Sequence, residues 1–206
     1  MIYNFFQFIA KVIIYFKFKL EVYGIENIPR EGPVIIAANH TSNYDPILLI
    51  GLSSRKIHFL AKQELFKYRL LRWFFNQMNV IPVNRQSGMV IRPVRHSLHL
   101  IRNGNVYGIF PEGTRCKNGK RVKPKKGVGF FTYNTEAPIL PIAITEVGRG
   151  FRQPVKVIIG PLADVREFNT TDYLKISEHI MGRIYRLDKV YLEEKNKTQF
   201  QTEPKI

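Results

Sequence analysis

The chain has 206 residues, 45% of them hydrophobic and 23% charged, which fits one globular domain and excludes a disordered protein. It carries 32 Lys and Arg against 16 Asp and Glu, a net charge of +16, so its partners should be anionic: nucleic acid, a membrane face, acidic proteins or phosphates. The single cysteine, Cys116, excludes an intramolecular disulfide and a CxxC metal site, and a reducing compartment is the simplest fit.

The first twenty residues are apolar and aromatic, with lysines interspersed. A signal peptide would place its charges before the apolar stretch, and a spanning helix needs about 20 nearly uncharged residues. The interspersed lysines therefore disfavour both a signal peptide and a spanning helix. As a helix, the segment would gather Asn4, Gln7 and Lys11 on one narrow stripe, with apolar side chains elsewhere. This pattern predicts a helix over residues 1–20 that lies in a membrane interface. The alternative is a helix packed on the protein's own core.

Beyond that helix, apolar runs alternate with helical patterns, which predicts a single α/β domain with a mixed, largely parallel sheet of about six to seven strands flanked by helices. Asp45 is expected to cap the helix that follows it, with proline in the first turn. The polar end, 193–206, is predicted to be a disordered tail, which leaves 21–192 as the folded domain. The predicted strands are 18–23, 34–38, 57–61, 80–83, 106–110, 139–144 and 155–159, and the helices are 46–52, 64–77, 93–102 and one from residue 170 or 171.

Polar side chains follow three of these strands. His40 comes after the strand 34–38, Arg85 after 80–83, and Glu112 with Arg115 after 106–110. Because ligands of open α/β sheets gather outside the carboxyl ends of strands, these residues are expected to share one cleft.

The most informative pair is His40 with Asp45, five residues on in a polar turn. A histidine oriented by a carboxylate can act as a general base for a hydroxyl group. The plainer interpretation is a locally capped histidine and an aspartate that serves only as a helix cap.

Arginine is suited to gripping phosphate, which favours Arg85 and Arg115 as phosphate ligands. Glu112 could accept a hydrogen bond from a substrate hydroxyl, or it could pair with one of the nearby basic residues. Residues 115–126 carry seven basic residues and no acidic one, which is usually a solvated loop.

Four blocks of the chain, in order, resemble the motifs of the glycerolipid acyltransferases, and above all the bacterial 1-acyl-sn-glycerol-3-phosphate acyltransferases. The lead-in 22–29 is similar as well, so the resemblance covers about residues 20–160. Cys116 stands where many relatives have serine. The blocks are Asn39-His40-x-Ser42-x-x-Asp45, residues 80–85 (VIPVNR), residues 110–115 (FPEGTR) and residues 137–144 (APILPIAI).

The resemblance implies an O-acyltransferase that moves an acyl group from a thioester, acyl-ACP or acyl-CoA, to the sn-2 hydroxyl of lysophosphatidic acid and so forms phosphatidic acid. It implies His40 as general base, oriented by Asp45. It calls for no metal and no bound organic cofactor, and it places the enzyme on the cytoplasmic face of a bacterial membrane, peripheral or monotopic, with an anionic membrane surface as partner. The implied substrate-binding residues are Arg85, Glu112, Gly113, Thr114, Arg115 and Lys126.

Four further hypotheses remain at this point. Lys117 to Lys126 could dock the acidic donor, or only attract anionic lipid. Cys116 could be an acylated nucleophile if the flanking arginine lowers its pKa. The basic charge also fits a nucleic-acid-binding protein, but no helix-turn-helix, RRM or zinc-finger pattern is present, and no nucleic acid is expected. An acyltransferase of the same family that acts on another lysolipid is the other alternative.

Overall fold

The structure, a computed structural model, describes residues 2–84, 90–116, 122–145 and 151–201, and the side chains of residues 188 and 190–201 lie outside this description. Arg85, residues 117–121 of the basic run and residues 202–206 of the predicted tail therefore fall outside the described residues.

The described residues form one seven-stranded sheet in the order β1-β7-β6-β2-β5-β3-β4. Neighbouring strands are parallel except for β6 and β7, which are antiparallel. This confirms the predicted mixed, largely parallel sheet in a single α/β domain. The strands are β1 (Phe18–Tyr23), β2 (Val34–Ala38), β3 (Ile57–Lys62), β4 (Val80–Val83), β5 (Val106–Ile109), β6 (Ile139–Ile144) and β7 (Gln153–Ile159).

Helices cover both faces of the sheet. They are α1 (Ile2–Lys17), α2 (Asp45–Leu52), α3 (Arg69–Gln77), α4 (Ile91–Arg102), α5 (Gly127–Thr135) and α6 (Tyr173–Gln201), with short 3₁₀ turns at Ile25–Asn27, Gln63–Phe66 and Val165–Phe168.

Strand β2 divides the core into two clusters because its side chains alternate between the two faces of the sheet. Val34, Ile36 and Ala38 pack with α1, α2 and Phe74 of α3. Ile35 and Ala37 pack with α4, α5 and α6 on the other face. Burial on both faces explains why β2 reads as a continuous apolar run.

Several sequence expectations need correction. Residues 64–77 do not form one helix, because a 3₁₀ turn ends at Phe66 and α3 begins only at Arg69. Asp45 is the first residue of α2 rather than its cap, and its carboxylate turns back into the preceding loop. Helix α5 was not anticipated. The α6 backbone continues to Gln201, past the predicted boundary at residue 193, whereas the assignment of a disordered tail stays a prediction.

The N-terminal helix α1 is present and packs on the sheet through Tyr3, Ala10 and Ile14, all buried. Gln7 of the predicted polar stripe faces the protein, since its side-chain amide donates to the carbonyl oxygens of Ile50 (3.0 Å) and Ser53 (2.5 Å). Much of the remaining apolar surface of α1 is exposed. Among the described residues, no helix combines the length and hydropathy needed to cross a bilayer.

Candidate active site

The candidate site lies at the edge of the sheet where the parallel strands β2 and β5 end. The turn 39–45 follows β2, and the turn 110–116 follows β5. The two turns are joined directly, because the backbone N–H of Cys116 donates to the carbonyl oxygen of His40 at 2.8 Å. The structure thus brings His40, Glu112 and Arg115 to one edge, as the sequence predicts, whereas Arg85 lies outside the described residues.

His40 and Asp45 form a hydrogen-bonded pair with 2.8 Å between Nδ1 and Oδ2. Asp45 is fully buried, and the same Oδ2 accepts hydrogen bonds from the backbone N–H groups of Thr41 (2.7 Å) and Ser42 (2.8 Å). An oxygen with two such donors is an acceptor, so the shared proton belongs on Nδ1 of His40. Nε2 then carries the lone pair, and within the described part of the chain it makes no hydrogen bond.

Phe110 holds the imidazole from one side. Its ring stacks on His40 with the centroids 4.2 Å apart and 19° between the planes. Phe59 of β3 lies behind Phe110 in a further stacked contact of 6.0 Å. Gly108 of β5 makes room for Phe59, because a Cβ atom there would overlap the Phe59 ring. The stack fixes the plane of the imidazole, and no feature of the sequence announces it.

Glu112 is buried, with 2% of its surface exposed, and its Oε2 accepts a hydrogen bond of 3.1 Å from the backbone N–H of His40. Burial raises the pKa of Glu112 from its ordinary 4.5 to about 7; the charge of Asp45 adds to the rise, and hydrogen bonds from the backbone N–H groups of Glu112 and His40 oppose it. No ion pair joins Glu112 to a basic side chain among the residues described, so the alternative of a pairing with the nearby basic residues is not seen there.

Arg115 is exposed at the rim of the site, where its Nη1 donates to the side-chain oxygen of Asn43 at 2.7 Å. Thr114 is exposed beside it, and Gly113 has a φ of 65°, which an L side chain rarely adopts. Lys126 is exposed immediately before α5, next to Lys125, whose backbone N–H donates to the carbonyl of Pro111 at 2.8 Å.

Cys116 is buried, and this burial together with the charge of Glu112 raises the pKa of its thiol, against a smaller opposing effect of the Val122 backbone. The expectation that a neighbouring arginine lowers this pKa is therefore wrong. A thiol with a raised pKa is a poor nucleophile at neutral pH, which disfavours the acyl-cysteine hypothesis.

Asn39, like Phe110, is a residue that sequence reasoning left out of the site. Its side chain donates to the carbonyl of Ile144 and accepts from the N–H of the same residue, both at 2.7 Å. These two bonds tie the end of β2 to the end of β6 immediately before His40. The sequence feature that could have indicated this role is the position of the asparagine, at a strand end and directly before the candidate base.

Residues 19–145 of this chain match the model of one protein family, which is described as Acyltransferase. This chain belongs to the acyltransferase family. The match covers more than half of the chain and includes the turns that hold His40 and Glu112, which confirms the predicted family and its class of enzyme.

Named relatives of this acyltransferase agree with one another. It is 31% identical over 155 residues to the 1-acyl-sn-glycerol-3-phosphate acyltransferase of Bacillus subtilis, which covers 73% of this chain and 76% of the relative. It is 32% identical over 163 residues to the enzyme of that name from Borreliella burgdorferi, covering 78% of this chain and 65% of the relative.

A solved structure also matches the fold. The crystal structure of the 1-acyl-sn-glycerophosphate (LPA) acyltransferase from Thermotoga maritima has a TM-score of 0.71 and 27% identity, and the match covers 91% of this chain and 78% of that chain.

Proposed function

We propose that this acyltransferase moves a fatty acyl group from a thioester to the sn-2 hydroxyl of 1-acyl-sn-glycerol 3-phosphate and releases phosphatidic acid and the free thiol. The hydrogen bond between His40 and Asp45, at the edge of the sheet and with Nε2 unbonded among the described residues, carries the proposal. The names of the relatives support the choice of acceptor.

His40 removes the proton from the acceptor hydroxyl as that oxygen attacks the thioester carbonyl. Asp45 keeps the Nδ1 tautomer and stabilises the imidazolium that forms, while the stacked ring of Phe110 fixes its plane. The imidazolium then protonates the departing thiolate, so one histidine serves both halves of the transfer. Attack on a thioester needs no enzyme nucleophile, and Cys116 takes no part.

The phosphate of the acceptor requires cationic partners near this base. Arg115 stands at the rim, held by Asn43, and supports a phosphate contact that Arg85 would complete. Thr114, Gly113 and Lys126 complete the proposed acceptor contacts. Correct placement of a hydroxyl against a thioester can supply about 7 to 11 kcal/mol of the barrier reduction.

Glu112 receives a role that differs from the one implied by resemblance. Its buried carboxylate already accepts a hydrogen bond from the His40 backbone, so we assign it to holding the base in place rather than to gripping glycerol alone.

The donor is proposed to be acyl-ACP or acyl-CoA, both of which carry negative charge. Lys123, Lys125 and Lys126 are exposed and near the 110–116 turn, which supports a docking role. Reversing the charges of Lys123 and Lys125, which leaves the proposed acceptor contact Lys126 unchanged, should raise the apparent KM for the donor in detergent micelles without changing liposome binding. An unchanged KM would remove the docking role.

The acceptor is a lipid, so the enzyme is proposed to work at the cytoplasmic face of the bacterial membrane with α1 in the interface. Phe8 of α1 is 63% exposed, which supports such a contact. Because Tyr3 and Ile14 are core residues, deletion of α1 would disturb the fold, and Phe8→Glu is the cleaner test. Unchanged flotation of that variant with anionic liposomes would remove α1 as the anchor.

The deciding experiment is an acyl-transfer assay with purified protein that crosses acyl-ACP and acyl-CoA with several lysophospholipids. We expect transfer to lysophosphatidate and not to lysophosphatidylcholine. Transfer only to an acceptor without a terminal phosphate would replace the substrate while keeping the reaction class.

A further inference from the structure

An apolar surface covers the outer side of α1 and of α3 with its lead-in turn. On α1 the exposed aromatic side chains are those of Phe5, Phe8, Tyr15 and Phe16. On the α3 side the exposed apolar side chains include Tyr68 and Leu70, which are 70% and 76% exposed. We call this surface the α1–α3 face. Scattered apolar side chains are normal on a protein surface, but two neighbouring helices that expose them together are not.

The two helices form one surface because an aromatic cluster joins them. Phe6 of α1 makes edge-to-face contacts with Trp73 (5.8 Å between centroids) and Phe74 (4.9 Å) of α3. Phe6 and Phe74 pack on the same core cluster, so α1 and α3 lie on the same side of the sheet. Trp73 is half exposed at the joint, so the apolar surface continues from one helix to the other.

Basic side chains are interspersed with the apolar ones. Lys67, Arg69 and Arg72 are exposed in and before α3, and residues 65–84 contain no acidic residue. Lys11 and Lys17 add charge on α1. Apolar side chains that reach inward beside Lys and Arg side chains that reach headgroups are typical of helices lying on anionic bilayers. In a dimer formed through this face, the basic residues of the two copies would repel one another, which disfavours a second copy as the partner.

We infer that α3 is a second bilayer-contacting element beside α1, and that the α1–α3 face as a whole rests on an anionic membrane. The inference extends the membrane attachment in the proposed function and rests on it.

Contact of the α1–α3 face with the membrane also orients the candidate site. Phe18, which directly follows α1, contacts Tyr44 at 5.3 Å between ring centroids, and Tyr44 directly precedes Asp45. The lead-in to α3 leaves β3 at Lys62, at the sheet edge where the parallel strands end. Both helices thus connect the bilayer to the edge that holds His40.

The test compares Leu70→Glu in α3 with Leu162→Glu. Leu162 is 42% exposed and follows β7 at the opposite edge of the sheet, so it is a matched control. Flotation with vesicles of phosphatidylglycerol and phosphatidylcholine should be about tenfold weaker for Leu70→Glu, because an apolar side chain is replaced by a charge that repels the lipid. The control should float like the parent. Circular dichroism melting verifies that both variants fold. If Leu70→Glu does not fold, Leu70→Ser takes its place. Undiminished flotation of the folded α3 variant would overturn the inference.

A second measurement separates this inference from the proposed function. With a short-chain lysophosphatidate dissolved as monomers, Leu70→Glu should turn over like the parent, and with acceptor embedded in vesicles it should be slower. Equal loss on both acceptors would place Leu70 in the site and contradict the membrane role. A parent that floats but transfers no acyl group would refute the proposed function while sustaining the α1–α3 face. A dimer in light scattering that Leu70→Glu dissociates would assign the face to a second copy instead.

Discussion

The carboxylate of Glu112 accepts a hydrogen bond from the backbone N–H of His40, 3.1 Å away and 72 residues earlier in the chain. The turn after β5 therefore fixes the position of His40, which lies in the turn after β2. Together with the bond from Cys116 N–H to the His40 carbonyl, both peptide groups of His40 are fixed by the neighbouring turn. Placement of the proposed base is thus a property of two strand ends rather than of the short His40 to Asp45 turn alone.

Glu112→Gln should flatten the pH dependence of stability. Burial raises the pKa of Glu112 to about 7, so between about pH 4.5 and 7 the folded chain binds a proton that the unfolded chain releases. Stability therefore falls as the pH rises through this window, by on the order of 3 kcal/mol in full. Urea unfolding at about pH 5 and about pH 8 should show this fall in the parent and a smaller one in the variant. Equal falls in both would contradict an elevated pKa at Glu112.

Asn39→Ala should destabilise the junction between β2 and β6. It removes two hydrogen bonds to Ile144 and leaves that backbone pair without its partners, at a cost of about 2 kcal/mol. Acyl transfer should fall as well, since His40 is the next residue. Asn76→Ala, at an exposed position of α3, is the control and should change neither quantity. Thermal melting and initial rates measure both; an unaltered melting temperature for Asn39→Ala would argue against the tie.

The outline of the fold and the location of the candidate site follow from the sequence. All seven predicted strands are present, because each is an apolar run or an alternating pattern bounded by turn residues. The His40 to Asp45 pair was predictable because a strand end fixes the histidine and a short turn returns the aspartate to it. The stack of Phe110 on His40 was not, since it depends on how neighbouring strands align. Helix α5 was missed because its glycines disfavour a helix in isolation; Gly129 is needed because a Cβ there would overlap the carbonyl oxygen of Tyr173 in α6.

Gly108→Ala should weaken catalysis through a chain of contacts. The new methyl group would displace Phe59, which stacks on Phe110, which stacks on His40. We expect a loss of about 1 to 3 kcal/mol in stability from overpacking and a lower kcat with little change in the KM for acceptor. Gly182→Ala has open space around it in α6 and should instead stabilise by up to about 1 kcal/mol. A normal kcat for a destabilised Gly108→Ala would show that the stack does not position the base.

Cys116→Ala should retain acyl transfer within about twofold of the parent, since direct attack on a thioester needs no cysteine nucleophile. Its buried thiol has a raised pKa and should react slowly with iodoacetamide at neutral pH. Steady-state rates and mass spectrometry of the alkylated protein measure both. Loss of activity in a variant that melts like the parent, or an acyl adduct on Cys116 in the parent, would restore the covalent mechanism.

The central claim is that His40 is the general base for the acceptor hydroxyl, and single-turnover acyl transfer by His40→Ala tests it most directly. Parent and variant are mixed in excess with thioester and lysophosphatidate, after circular dichroism and liposome flotation have verified that the variant folds and binds membrane like the parent. The account predicts that the variant forms phosphatidic acid at least about a hundredfold more slowly, the contribution typical of a positioned base. Transfer within a few fold of the parent rate would contradict it.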